Sequence, residues 1–76
     1  MIELLTLLAK GLVDAPDEVV VTKIEGEQAT VLQLKVARED LGKVIGKQGR
    51  TARSIRTLLS AAGRKARRRL VLDIVE

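Results

Sequence analysis

Residues 44–50 read VIGKQGR, and they contain the residues of this chain best suited to binding an anion. Gly46 and Gly49 allow the backbone to turn with positive φ and to approach a ligand closely, because glycine has no Cβ. A helix is predicted on each side of the pair, so the second helix begins with N–H groups that lack intrahelical partners. Those groups and the helix dipole favour an anion. Lys47 and Arg50 add positive charge there, so the pattern favours phosphate binding.

Three other functions use glycine-rich or basic segments. A Walker A loop needs G-x-x-x-x-G-K-[ST] after a strand, but the spacing from Gly42 to Gly46 is one residue too short, and Gln48 stands where magnesium needs a hydroxyl. Peripheral membrane binding usually relies on large interfacial aromatics, and the chain has none. A helix-turn-helix DNA-binding module, with two helices about a glycine turn, stays open as an alternative.

The composition limits the chemistry that the chain can perform. Its 76 residues include no His, Cys, Phe, Tyr or Trp. This excludes a disulfide scaffold and thiolate metal sites, and it removes the usual general base and the readiest nucleophile. We therefore expect no enzymatic activity, no metal and no cofactor. Residues 1–40 carry four basic and eight acidic side chains, whereas residues 41–76 carry ten basic and two acidic ones. Such an uneven distribution attracts polyanions.

Hydrophobic periodicity predicts the elements of the first half. Leucines at helical spacing predict a helix over residues 1–13, and the sequence DAPDE (residues 14–18) ends it because proline cannot continue a helix. Glu3 and the lack of a basic n-region argue against a signal peptide. The β-branched run at residues 19–25 and the alternating run at residues 30–37 predict an antiparallel hairpin.

The second half is predicted to hold two helices and a strand. Asp40 is expected to cap a short helix that ends before the glycine pair. Apolar residues at helical spacing, with basic residues opposite, predict an amphipathic helix from about Arg50 into the mid-sixties. The alternating run at residues 70–76 predicts a third strand. The basic cluster at residues 64–69 could extend a nucleic-acid-binding surface, contact ribosomal RNA, or solubilise the end of the long helix and complement its dipole, and we favour the last of these roles.

The stretch VIGKQGRTARSI (residues 44–55) resembles the core sequence of the KH RNA-binding domain, in which Val/Ile-Ile-Gly-x-x-Gly precedes a helix with apolar residues at fixed offsets. The predicted element order matches the type II, or bacterial, KH arrangement. The resemblance covers residues 1–76 and extends to the small stand-alone bacterial KH proteins of the KhpA type. It implies one α+β domain of order α-β-β-α-α-β, with a three-stranded sheet packed against helices.

The resemblance implies a role for each residue of the glycine turn. Gly46 and Gly49 would be the glycines of the GXXG loop, with Lys47 and Gln48 as the variable pair that faces the sugar–phosphate backbone. In KH domains this loop clamps four nucleotides.

The resemblance also implies how the RNA-binding groove would be built around this loop. Val44 and Ile45 would form the apolar side of the groove, and Arg50 and Arg53 would flank the phosphates. The far wall is expected at the second strand of the hairpin, around residues 34–36. Such a groove uses an aliphatic floor, which agrees with the absence of aromatic residues.

The implied partner is single-stranded RNA. KhpA-type proteins form homodimers or pair with a larger KhpB (Jag-type) protein, so the resemblance implies such a dimer in the cytoplasm, without membrane insertion. It also implies post-transcriptional regulation or RNA chaperoning with an influence on cell shape. Two alternatives stay open, namely the helix-turn-helix module and a domain that only dimerises.

Overall fold

Residues 2–76, which the computed structural model describes, form three α-helices and three β-strands. In chain order these are α1 (Ile2–Leu12), β1 (Val20–Glu25), β2 (Ala29–Lys35), α2 (Leu41–Ile45), α3 (Arg50–Lys65) and β3 (Arg69–Val75). The order confirms the predicted α-β-β-α-α-β arrangement and the α+β class. Met1, which the prediction placed in the first helix, lies outside the described residues.

The three strands form one mixed sheet in the order β1-β2-β3. β1 and β2 pair antiparallel, with Val20 opposite Lys35, which confirms the predicted hairpin. β2 and β3 pair in parallel, with Ala29 beside Arg69. Parallel neighbours need a long crossover connection, and here α2 and α3 supply it. The crossover therefore places both helices against the same sheet.

The core lies between one face of the sheet and the helices. Alternation along β2 turns Leu32 and Leu34 toward the helices, and Leu72 of the neighbouring strand faces the same way. The helices contribute Leu5 and Ala9 from α1, Val44 from α2, and Ala52, Ile55 and Leu59 from α3. The core is therefore wholly aliphatic, as the composition requires. Burial of each leucine side chain contributes roughly 2 kcal/mol.

The C-terminal end of α3 packs backbone to backbone on the start of β3. Gly63 is buried, and a Cβ at this position would lie 2.3 Å from the carbonyl oxygen of Arg68. The helix ends in a Schellman motif, in which the Arg68 N–H donates to the Gly63 carbonyl (2.7 Å) and the Arg67 N–H donates to the Arg64 carbonyl (3.1 Å). The chain thus turns directly from helix into strand.

Asp40 occupies the N-cap position of α2, as predicted, but its side chain makes no capping hydrogen bond there. Its carboxylate is buried and accepts hydrogen bonds from the backbone N–H groups of Asp14 (3.2 Å) and Ala15 (3.0 Å). Lys43 Nζ lies 3.6 Å from Asp40 Oδ1 and also contacts the Asp14 carboxylate. Burial raises the pKa of the Asp40 carboxyl, but the two amide bonds and the charge of Lys43 outweigh it, so the pKa lies below its ordinary value.

We expect Gly63→Ala to destabilise the fold by about 2 kcal/mol, because the new methyl group overlaps the Arg68 carbonyl. Gly42→Ala is the matched control, since Gly42 is helical and has open space around its Cα. There, alanine should stabilise by about 0.5–1 kcal/mol. Urea unfolding followed by circular dichroism measures both. Equal stability of the two variants would contradict the close packing at Gly63.

The stability of wild type relative to Asp40→Asn should depend on pH. Because the folded-state pKa of Asp40 lies below the ordinary 3.8, its contribution is complete above that value and is lost as the pH falls through the folded-state pKa. The wild-type Tm should therefore exceed that of the variant at pH 7, and the gap should narrow toward pH 3. The other carboxyl groups titrate in both proteins, so their effects cancel in the difference between the two Tm values. A gap that stays constant over this range would contradict the role given to Asp40.

Candidate nucleic-acid interface

The GKQG loop (residues 46–49) has a backbone that explains both of its glycines. Gly46 has φ 79° and ψ 169°, a region almost restricted to glycine. A Cβ there would also lie 2.2 Å from Thr51 Oγ1. Gly49 has φ 73° and ψ 13° with open space around it, so only its left-handed backbone favours glycine. Gln48 is left-handed as well, with φ 58°.

The tip of this loop holds backbone donors that the protein does not use. The N–H of Gly46 donates to the Gly42 carbonyl (2.8 Å), that of Gly49 to Gly46 (3.0 Å), and that of Arg50 to Lys47. Within residues 2–76, none of the turn and capping hydrogen bonds uses the N–H of Lys47 or Gln48. Both of these residues are exposed. The donors available to an anion therefore belong to the loop tip rather than to the first residue of α3.

The two apolar residues before the loop have different environments. Val44 is 0 % exposed and lies in the core, so the predicted groove role of its side chain was wrong. Ile45 is 38 % exposed and offers an apolar surface beside the loop. The difference arises because successive residues of a helix point about 100° apart, so only one of the pair can face the sheet.

Basic residues follow one face of α3 away from the loop. Arg50 and Arg53, both exposed, lie in its first turn as the sequence predicted. Arg56, which the prediction missed, lies one turn beyond Arg53 and is also exposed. Residues three or four apart share a helix face, so the spacing of Arg53, Arg56 and Ser60 was the signal that would have found it.

A cleft of about 600 Å³ continues this face toward β3. We call it the basic cleft; it is lined by Arg56, Ser60, Gly63 and Arg64 of α3, Arg67 and Arg68 of the turn that follows, and residues 69–72 of β3. Arginines crowd its helix side and its end, and Leu70 and Val71 give the β3 side an aliphatic surface. The arrangement suits a ligand with charged and apolar parts.

The wall opposite α3 is not the one predicted. Leu34 and Val36 are 0 % and 2 % exposed and belong to the core, so they do not form a groove wall. β2 is the central strand and pairs on both sides, whereas β3 is an edge strand beside α3. Because of the parallel crossover, β3 lies beside α3, where the second strand of the hairpin was predicted to form the far wall of the groove.

Four arginines of the basic cluster at residues 64–69 line the cleft, namely Arg64, Arg67, Arg68 and Arg69. This position suits the alternative role of the cluster, an extended nucleic-acid-binding surface, and not only the favoured solubilising role. Arg68 is bound to the protein itself, because its guanidinium donates to Thr30 Oγ1 and to the carbonyl oxygens of Gly26 and Ala29. In the part of the chain that the structure describes, no hydrogen bond or salt bridge engages the guanidinium groups of Arg56, Arg64, Arg67 or Arg69. The cleft therefore concentrates positive charge without an internal counter-ion.

A family model described as the KH domain of KhpA and KhpB matches residues 2–74. The chain belongs to this family. The match includes the GKQG loop, α3 and most of β3, and it confirms both the predicted KH resemblance and the expectation of a non-catalytic protein. No solved structure matches the chain significantly. None of the helices within residues 2–76 is long and apolar enough to cross a membrane.

Curated relatives match over nearly their full length. The RNA-binding protein KhpA of Clostridium acetobutylicum is 56% identical over 75 residues, covering 99% of this chain and 100% of the relative. The protein of the same name from Aquifex aeolicus is 55% identical over 74 residues, covering 97% of this chain and 94% of the relative. The RNA-binding protein KhpA of Treponema pallidum is 54% identical over 74 residues, covering 97% of this chain and 92% of the relative.

Proposed function

We propose that this chain binds single-stranded RNA, without catalysis, through the GKQG loop and the basic cleft. The observation that carries the proposal is that Lys47 and Gln48 are exposed and that their N–H groups make no turn or capping hydrogen bond, next to the cations of Lys47 and Arg50. Backbone donors and fixed charge at one turn are what a phosphate requires. Relatives about 50% identical over their full length carry the name RNA-binding protein KhpA, which supports RNA as the ligand.

The proposed strand lies along α3 from the loop to the basic cleft. Its phosphates contact the loop amides, Arg50 and Arg53, while bases and riboses lie against the exposed side of Ile45 and the aliphatic surface of Leu70 and Val71. Because the chain has no aromatic residue, bases cannot stack on a π-face. Modest affinity and loose sequence preference follow.

The helix-turn-helix alternative fits the structure less well. In such a module α2 would be the first helix, which crosses the DNA backbone. It has only five residues, little more than one turn, and is therefore too short to extend far along a duplex. The residues that would form a recognition helix sit beside an edge strand that shapes a narrow cleft instead. A single flexible strand enters such a cleft more easily than a rigid duplex.

Replacing Lys47 and Gln48 together by Asp should abolish RNA binding while the fold is kept. The change places two carboxylates beside the loop amides, and aspartate tolerates the left-handed backbone at residue 48. Lys10→Asp with Gln28→Asp is the matched control, because it makes the same change in charge at two exposed positions away from the loop. Fluorescence anisotropy with a labelled oligouridylate measures affinity, and circular dichroism checks the fold. Equal affinity of the two double variants would remove the loop from the proposal.

A second surface supports association of two copies. The apolar α1/α3 face comprises the exposed side chains of Leu4, Leu7, Leu8, Leu12 and Leu58. Leu7 is 70 % exposed and Leu58 53 %, and the groove of about 420 Å³ that they flank has no charged lining residue. Exposed apolar patches of this kind mark interaction sites. We assign the face to a homodimer. Each copy carries a net charge of +4, and at this uncharged face two copies can meet without bringing like charges together.

The dimer surface leaves the basic cleft open. Leu58 and Ser60 are two residues apart on α3, which places them about 200° apart around the helix axis. Ser60 lines the cleft, and Leu58 lines the apolar groove. A dimer formed through Leu58 therefore presents two RNA-binding clefts on its outer sides.

Leu58→Glu should convert the dimer to a monomer, because it would bury two carboxylates in a symmetric contact. Ile24→Glu is the control, since Ile24 is similarly exposed but lies on the sheet. Sedimentation velocity gives the oligomeric state. A dimeric Leu58→Glu variant, or a monomeric Ile24→Glu variant, would contradict the assigned surface.

The family description names KhpA and KhpB together as carrying this domain, and we propose a KhpB-type protein as another occupant of the apolar α1/α3 face. A heterodimer of this kind would bring a second KH domain onto the same RNA, and two linked sites raise the effective local concentration of the second. A heterodimer with two RNA sites and a loose sequence preference suits post-transcriptional regulation or RNA chaperoning in the cytoplasm. An effect on cell shape would be one consequence.

A further inference from the structure

Arg67 occupies a backbone position that disfavours it. Its φ is 57°, in the left-handed region, at the residue of the Schellman motif where glycine is the usual choice. An L-residue with a Cβ is strained there, and arginine has no short polar group to offset the strain with a local hydrogen bond. Strained backbone retained in a native structure clusters at active sites, ligand-binding sites and switch regions.

The turn that carries Arg67 is held rigidly from both sides. The Arg68 guanidinium binds Thr30 Oγ1 and the carbonyls of Gly26 and Ala29, which ties the turn to the β1–β2 hairpin. On the other side, the Arg68 N–H donates to the Gly63 carbonyl at 2.7 Å. Arg67 therefore projects from a fixed platform, and little conformational entropy of the backbone is lost when it binds a ligand.

The Arg67 side chain belongs to the basic cleft. It lines the cleft beside Arg64 and Arg69. Within residues 2–76, no acidic side chain forms a salt bridge with any of these three. Like charges held this close repel one another, and a phosphate between them relieves the repulsion.

This end of the cleft is too far from the GKQG loop to share its phosphate. The 16 residues of α3 separate the two, and at 1.5 Å per residue the helix is about 24 Å long. At the roughly 3.4 Å rise of stacked nucleotides, that length corresponds to about seven nucleotides. The loop alone clamps four nucleotides in domains of this class.

We propose that Arg67 is an RNA-contacting residue, held in a strained left-handed turn so that its guanidinium binds a backbone phosphate at the end of the basic cleft opposite the GKQG loop. The inference rests on the proposed RNA binding and adds a second point of attachment to it. The protein then grips one strand at both ends of α3, and its binding depends on oligonucleotide length.

Arg67→Gly tests the inference because it separates fold from ligand. Glycine relieves the backbone strain, so the Tm should equal or exceed that of wild type. The affinity for a ten-residue oligouridylate should nevertheless fall by about threefold or more, and the log–log salt slope should lose about 0.7. The affinity for a four-residue oligouridylate should stay within about twofold, because the loop holds it.

Three further variants control the experiment. Lys65→Gln removes one positive charge from an exposed residue outside the cleft lining, and it should leave the salt slope unchanged. Arg67→Lys keeps the charge and should bind nearly as wild type. Arg67→Asn tolerates the left-handed backbone, and it should reproduce the loss seen with glycine even if the glycine variant folds poorly.

The outcomes separate this inference from the proposed function. If wild type binds the ten-residue RNA and the Lys47/Gln48 double variant does not, RNA binding through the loop stands. Unchanged affinity and salt slope in Arg67→Gly and Arg67→Asn would then overturn the inference alone. An equal loss in Lys65→Gln would also overturn it, because net charge would account for the effect. If wild type binds neither RNA, both proposals fail.

Discussion

The position of α3 depends on close backbone contact at both of its ends, where a side chain has no room. At the N-terminal end Gly46 has a backbone that only glycine adopts readily, and Thr51 occupies the space a Cβ would need. At the C-terminal end Gly63 touches the backbone of β3. Because the backbone of each glycine lies directly against its neighbour, with no room for a Cβ, these contacts hold the GKQG loop, the basic face of α3 and the edge strand in one fixed arrangement. In the proposed binding mode, an anionic strand would therefore meet a preformed surface.

α3 also divides the surface of the domain. Its buried stripe faces the sheet, and the two flanks of that stripe differ in chemistry. One flank carries Arg56 and Ser60 toward β3, and the other carries Leu58 toward α1. A 76-residue chain leaves much apolar surface uncovered, especially with a core built without aromatics. The proposed association through the leucine flank would cover that surface and leave the basic flank open, so the same helix could serve both the dimer contact and the proposed RNA binding.

The order of the helices and strands and the place of the loop could be predicted from the sequence, because local patterns specify them. Helical and alternating periodicity predicted every element in its order, and the glycine pair located the loop. The predicted groove wall failed, because it depends on which strands become neighbours in the sheet. The parallel pairing of β2 with β3 makes β3 the edge strand beside α3, and no local pattern shows that. The core position of Val44 and the bonds of Asp40 to a distant loop likewise follow from tertiary packing. The left-handed turn at Arg67 could not be predicted, because glycine usually marks it and arginine stands there.

In the proposed binding mode, one RNA strand contacts the loop amides and follows the basic flank of α3. Amide chemical-shift mapping on a ¹⁵N-labelled protein, titrated with an unlabelled oligoribonucleotide, tests it most directly. This mode predicts the largest shifts at Lys47 and Gln48, continuing through Arg53, Arg56 and the turn at Arg67, with β1 at the far edge of the sheet unaffected. Shifts confined to α1 and Leu58, or a saturating titration in which the amides of Lys47 and Gln48 do not move, would contradict it.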